Sequence, residues 1–141
     1  MVQSKWQWMY RFFPAPGSVD RYERMRACSG ALFGLVITGL TTYLLLGKDI
    51  HAMWLIAPMG ASSVLLFAVP ASPLAQPWSI MGGNIIAAIV GVSCAKLIGE
   101  PILAAGLAAA LAIGAMFAFR CIHPPSGAVA LTAVLGGPAV H

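Results

Sequence analysis

Twenty consecutive residues, Ala27–Leu46, contain no charged side chain. A helix of about 20 apolar residues is long enough to cross the hydrocarbon core of a bilayer, which is roughly 30 Å thick. Four further apolar stretches follow, and only 9% of the residues are charged, whereas a soluble domain typically carries about 25%. The sequence therefore predicts an all-α fold, a polytopic transmembrane helical bundle of about five spans.

The apolar stretches place the predicted spans near residues 27–46, 53–69, 80–98, 102–119 and 125–137. They form a transmembrane domain, 27–141, behind a cytoplasmic or interfacial N-terminal segment, 1–26. Five of the eight Lys and Arg residues precede the first span, which is the positive-inside pattern. This pattern predicts a multi-pass inner-membrane protein with a cytoplasmic N terminus. It also accounts for the excess of Lys and Arg over Asp and Glu, so nucleic-acid binding is not predicted. The three cysteines show no CxxC spacing, so neither a metal site nor a cofactor is predicted.

A short motif occurs twice, as APMGAS at residues 57–62 and as HPPSGAV at residues 123–129. Aligning the prolines also matches a Gly and an Ala, in the pairs Pro58 and Pro125, Gly60 and Gly127, and Ala61 and Ala128. Proline at a first helical position costs no hydrogen bond, and the positive end of a helix favours anions. We predict two Pro-x-Gly-Ala half-helices whose tips present bare N–H groups to an anion.

The repeated motif also predicts an inverted repeat, because a unit with an odd number of spans inverts the next unit. The second unit then stops one span short of the first. The two positive helix ends would approach a shared anion position from opposite faces. The alternative is a chance match, since proline, glycine and alanine are abundant in the chain.

Small residues recur every four positions on two consecutive spans. They are Ala87, Gly91, Ala95 and Gly99 on one span, and Gly106, Ala110, Gly114 and Ala118 on the next. Close backbone approach drives helix association in lipid, so these two stripes predict an antiparallel hairpin. Five short spans enclose little volume, and we therefore expect a homo-oligomer, a dimer or higher.

Most polar groups around the predicted tips are donors, and the predicted spans contain no carboxylate, which disfavours a cation site. The predicted substrate-binding residues are Pro58, Gly60, Ala61, Ser62, Ser63, Asn84, His123, Pro124, Pro125, Ser126, Gly127 and Ala128.

Three of the candidate residues have more than one interpretation. Arg120 either attracts anions into an inner vestibule or is a topology determinant that reaches the headgroups. His123 is a donor to the anion, a proton-coupling group or a helix cap. Asn84 is a substrate contact or an interhelical hydrogen-bonding group.

The run HPPSGA at residues 123–128 resembles the signature of the HPP family of integral membrane proteins. Residues 58–67 and 72–78, with Gly82-Gly83-Asn84, are similar to the same family, and the resemblance extends from Arg21 to the C terminus. Family members are multi-span proteins, some with a soluble regulatory domain. Plastid and cyanobacterial members are associated with nitrite transport, so the resemblance implies a permease for a small anion.

Together these features predict a transporter or channel for a small monovalent anion, nitrite above others, in the lipid bilayer. An enzyme is not expected, since the sequence shows no nucleophile–base–acid set and no metal cluster. The alternative is a membrane scaffold or sensor module that moves no ion and couples to a soluble partner.

Overall fold

The computed structural model describes residues 19–47 and 56–136. This part of the chain forms five helices and a short 3-10 turn, Pro73–Ala75. The helices are α1 (Arg21–Leu46), α2 (Ile56–Ala68), α3 (Pro77–Leu97), α4 (Pro101–Ala118) and α5 (Pro125–Leu135). No strand occurs in these two stretches, and the prediction of an all-α transmembrane bundle is confirmed. Most of the predicted N-terminal segment, the start of the span at 53–69 and residue 137 lie outside the described residues.

The helices differ in length in a way that matters for a membrane. Three of them, α1, α3 and α4, are long and apolar enough to cross one, by length and composition. The other two, α2 with 13 residues and α5 with 11, are shorter. At 1.5 Å per residue they extend about 20 Å and about 16 Å, which is half to two thirds of a hydrocarbon core of roughly 30 Å. The two helices that carry the repeated motif therefore have the length of half-helices.

Proline and one carboxylate set the hairpin between α3 and α4. Pro101 is the first residue of α4, where its missing N–H costs nothing. Glu100 precedes it, and its Oε2 atom accepts a hydrogen bond of 2.6 Å from the Leu103 amide. The linker is only three residues long, so α3 and α4 pack as antiparallel neighbours, as predicted.

Small residues do form the core, but the predicted stripe on α4 is wrong. Residues Gly106, Ala110, Gly114 and Ala118 are exposed. The buried face of α4 instead consists of Ala104, Ala108, Ala112 and Met116. Because α4 carries alanine or glycine on several faces, spacing alone does not select the packed one. The predicted stripe on α3 is confirmed in part, since Ala87 and Gly91 are buried, Ala95 is half-buried and Gly99 is exposed. Gly91 lies against Ala130 and Ala133 of α5, whereas the stripe was predicted to pack against α4.

The two half-helices run in opposite directions. Arg26, near the start of α1, shares a groove with Phe67 and Pro70 at the end of α2, so α2 is antiparallel to α1. In contrast, α5 runs parallel to α3, because Gly83 lies against Ser126, and Gly91, two turns further on, lies against Ala130 and Ala133. One end of the bundle thus carries the start of α1, the end of α2, and the starts of α3 and α5. We call it the Trp78 end.

Candidate functional site

A buried histidine joins the two half-helices. His123, in the turn before α5, is fully buried. Its Nδ1 atom lies 2.8 Å from the carbonyl oxygen of Leu74, and its Nε2 atom lies 2.9 Å from Oγ of Ser62 on α2. Since a carbonyl oxygen only accepts, Nδ1 carries the proton of this bond. The ring therefore connects α2, the loop before α3 and the entry of α5.

A second polar pair lies one turn further along α5. Ser126 is fully buried, and its hydroxyl donates a hydrogen bond of 2.8 Å to Oδ1 of Asn84 on α3. The amide nitrogen of Asn84 makes no hydrogen bond to the described part of the chain. Four predicted site residues thus form one polar cluster, in which His123 and Ser126 are buried and Ser62 and Asn84 are half-buried.

Glycine at position 83 allows α5 to enter so close to α3. A Cβ atom there would lie 2.9 Å from Cβ of His123, 2.9 Å from Oγ of Ser126 and 3.1 Å from the Cys121 carbonyl oxygen. A side chain at this position would displace both polar residues. Gly83 was not among the predicted site residues, although the Gly-Gly pair that precedes Asn84 was an available signal.

The tip of α5 differs from the expected one in its hydrogen bonding. Pro124 and Pro125 have no N–H. The Ser126 N–H donates to the His123 carbonyl at 2.9 Å, and the Gly127 N–H donates to the Pro124 carbonyl at 3.0 Å. These amides are used within the turn, so the expectation of bare N–H groups at this tip is wrong.

Pro58 is not the first residue of α2, contrary to the prediction of a helix that begins at its proline. Within the described residues α2 runs from Ile56, so Pro58 is its third residue and Gly60 its fifth. The amides of Gly60 and Ala61 therefore lie within the helical hydrogen-bond pattern, and they are not free for an anion. What remains at both tips is the positive end of the helix dipole together with side chains.

The other predicted residues take varied positions around the cluster. Pro58, Ser63 and Pro125 are buried, Gly60, Gly127 and Ala128 are half-buried, and Ala61 and Pro124 are exposed. The Ser63 hydroxyl donates to the Gly60 carbonyl at 2.7 Å, so it bonds within its own helix.

Two grooves open beside the cluster at the Trp78 end. The first has a volume of about 280 Å³, and its residues are Ile113, Met116, Phe117, Ile122, His123, Pro124 and Gly127. The second has a volume of about 350 Å³ and is formed by Pro73, Leu74, Ser79, Phe117, Arg120 and Ile122. Phe117 and Ile122 border both grooves. Their side chains therefore form the wall between the first groove, which contains His123, and the second groove, which contains Arg120.

Arg120 holds an unusual backbone conformation. It has a φ of 54°, in the left-handed region where glycine is common. The Cys121 N–H donates to the Met116 carbonyl at 3.0 Å and the Arg120 N–H to the Phe117 carbonyl at 3.2 Å, which is the Schellman ending of a helix. A residue with a side chain loses about 1–2 kcal/mol of folding free energy in this conformation. Arg120 thus places a positive charge at a position where glycine would be more stable.

The charged groups lie away from the cluster. In the described ranges the carboxylates are those of Asp20, Glu23 and Glu100, all near helix starts. No group of three or more His, Cys, Asp or Glu that could hold a metal ion occurs within those ranges.

Comparison with known proteins gives a family. The model described as the transmembrane region of HPP matches residues 16–141. A transmembrane protein of Dictyostelium discoideum is 35% identical over 125 residues, which are 86% of this chain and 40% of that protein. A second transmembrane protein of the same organism is 38% identical over 92 residues, 62% of this chain and 32% of that protein. The chain spans less than half the length of both relatives, and no solved structure matches it.

Proposed function

Because this chain belongs to the HPP family of transmembrane proteins, we propose that it forms a pathway for a small monovalent anion, with nitrite as the favoured substrate. The polar cluster carries this proposal. It brings hydroxyl, imidazole and amide groups from both half-helices and α3 together. Polar side chains inside a transmembrane bundle are costly unless they serve structure or function.

The sign of the substrate follows from the surroundings of the cluster. The positive end of α5 points toward His123, the amide nitrogen of Asn84 is an available donor, and α2 and α5 contain no carboxylate. An anion in the groove beside Gly127 would be stabilised by the helix dipole. A cation in the same place would find no carboxylate on either half-helix.

Arg120 fits the role of an entry residue. It borders the second groove, at the Trp78 end. The start of α1 lies at the same end, and its three arginines, Arg21, Arg24 and Arg26, outnumber its two carboxylates, Asp20 and Glu23. A cluster of positive charge at one end raises the local concentration of anions. By the positive-inside pattern we propose that this end faces the cytoplasm of a cell whose inner membrane holds the protein.

We further propose that the working unit is a homo-oligomer, a dimer or higher. The groove beside the cluster has a volume of about 280 Å³ and is bordered by one chain only. The exposed face of α4 offers room for a second copy, because a Cβ atom at Gly106 or Gly114 would meet nothing within 4 Å.

The test is flux in proteoliposomes containing the purified chain. We expect nitrite to enter faster than into empty vesicles, with nitrate, formate, chloride and bicarbonate compared in parallel. Gly127→Val should block entry, because a Cβ there meets no atom within 4 Å and the side chain would extend into the groove without disturbing the fold. Gly99→Val, also in open space but at the far end of α3, is the matched control. Wild-type flux equal to that of empty vesicles would contradict the proposal.

One observation favours the alternative, a scaffold or sensor that moves no ion. Every buried side-chain nitrogen or oxygen in the described part of the chain has a hydrogen-bond partner, as expected of a purely structural cluster. For this alternative, substitutions at His123 and Ser126 change the stability of the protein and no flux is measured for any variant.

A further inference from the structure

We propose that His123 binds a proton and carries it together with the anion, so that transport is coupled to protons. This inference rests on the proposed function and extends it to the coupling ion. It is derived from the hydrogen bonds on the two ring nitrogens and from the single hydroxyl next to them.

The neutral ring has one arrangement in this site. The Leu74 carbonyl at 2.8 Å requires the proton on Nδ1. Nε2 then has only its lone pair, and it accepts the hydroxyl hydrogen of Ser62 across 2.9 Å. Both nitrogens are satisfied.

The protonated ring is satisfied in the same place. Nε2–H would donate to Oγ of Ser62, whose own hydrogen would turn to the Pro58 carbonyl, 3.3 Å away. Only a hydroxyl hydrogen rotates, and no heavy atom moves. Because His123 is fully buried and Ser62 is half-buried, the proton reaches Nε2 through the Ser62 hydroxyl, which gives its own hydrogen to Nε2 and takes one from water. The ring gains the proton, and returns it by the reverse step, without losing a hydrogen bond.

Within residues 19–47 and 56–136, the charge gained by the ring has no counterion on the elements packed around it. On its own turn the ionisable neighbours are Arg120, of the same sign, and Cys121. The two half-helices, α4 and the 3-10 turn contain no ionisable side chain. Those of α3 are Cys94 and Lys96, which lie beyond Gly91. A buried charge is costly unless it is paired. An anion in the groove bordered by His123 and Gly127 supplies the missing charge.

Coupling follows because the two binding events favour each other. If the anion stabilises the protonated ring, the protonated ring must strengthen anion binding by the same factor. One anion and one proton then move together, and the pair carries no net charge across the membrane.

The first experiment measures nitrite entry and internal pH together in voltage-clamped proteoliposomes, with empty vesicles subtracted for passage of the neutral acid. We expect an inward nitrite gradient to acidify the interior, with about one proton per nitrite. Ser62→Ala and His123→Gln should abolish this acidification, and Ser62→Thr should keep it. Ser93→Ala is the matched control, because the Ser93 hydroxyl also bonds the carbonyl four residues earlier, at 2.7 Å, but lies outside the cluster.

The outcomes separate this inference from the proposed function. Nitrite entry without proton movement, or acidification that persists in Ser62→Ala, overturns proton coupling and leaves the anion pathway standing. Absence of any nitrite entry overturns both.

A second measurement examines the ring itself and needs no transport. Nitrogen-15 spectra of labelled histidine in nanodiscs, with His123→Gln to assign the signal, should show Nδ1 protonated at every pH. Adding nitrite at fixed pH should increase the fraction of rings that are also protonated at Nε2. A ring whose protonation does not respond to nitrite contradicts the inference.

Discussion

Gly83→Ala is the most informative single change in the structure. The added Cβ would lie 2.9 Å from Cβ of His123, 2.9 Å from Oγ of Ser126 and 3.1 Å from the Cys121 carbonyl oxygen. All three atoms sit on or next to the backbone, so the entry of α5 must move away from α3 by several tenths of an ångström. Overpacking of this kind costs about 1–3 kcal/mol, and the better helix propensity of alanine returns about 0.5–1 kcal/mol.

A matched variant separates these two terms. Gly106→Ala gains the same helix propensity, but its Cβ meets nothing within 4 Å. The free energy of unfolding, from denaturant titration in micelles followed by circular dichroism, should therefore be lower in Gly83→Ala than in Gly106→Ala by about 1–3 kcal/mol. Nitrite flux should fall in Gly83→Ala relative to the wild type, because the displaced His123 and Ser126 belong to the cluster. Equal stability of the two variants would refute the close approach of α3 and α5.

Three further changes test other parts of the structure. Arg120→Gly should raise the free energy of unfolding by about 1 kcal/mol, because glycine adopts a φ of 54° without cost. The same change should slow nitrite entry, most strongly at low ionic strength, because a positive charge at the entry is lost. Arg120→Lys should keep wild-type values in both assays. Ser126→Ala leaves Oδ1 of Asn84 without its 2.8 Å donor and should lower the free energy of unfolding by about 1–2 kcal/mol, with reduced flux. Glu100→Ala removes the cap on the Leu103 amide and should lower the free energy of unfolding by about 1 kcal/mol. Nitrite flux should be unchanged, because Glu100 lies at the end of the bundle opposite the cluster.

The positions of the helices follow directly from the sequence. Uncharged apolar runs and prolines at helix starts predict all five, and the repeated motif predicts that two of them are short. Ser62, Asn84, His123 and Ser126 were all candidates, and the structure brings them together. The prediction of these four residues succeeded because an apolar segment contains few polar residues, and each of them must find a hydrogen-bond partner.

The details that sequence reasoning missed are those without a side-chain signal. The Leu74 carbonyl that fixes the His123 ring belongs to a proline-rich loop whose path no pattern specifies. The buried face of α4 was misjudged because small residues occur on several of its faces. The amides at the α5 tip were expected to be bare because the sequence does not show the tight turn that uses them.

We propose above that an anion passes along the groove beside His123 and Gly127. The most direct test is Gly127→Cys in a background where the exposed Cys28 is replaced by serine, since Cys94 and Cys121 are buried. A negatively charged thiol reagent should modify the introduced thiol and stop nitrite flux, and nitrite should slow the modification. Modification at the same rate with and without nitrite, or flux that continues after complete modification, would contradict the account.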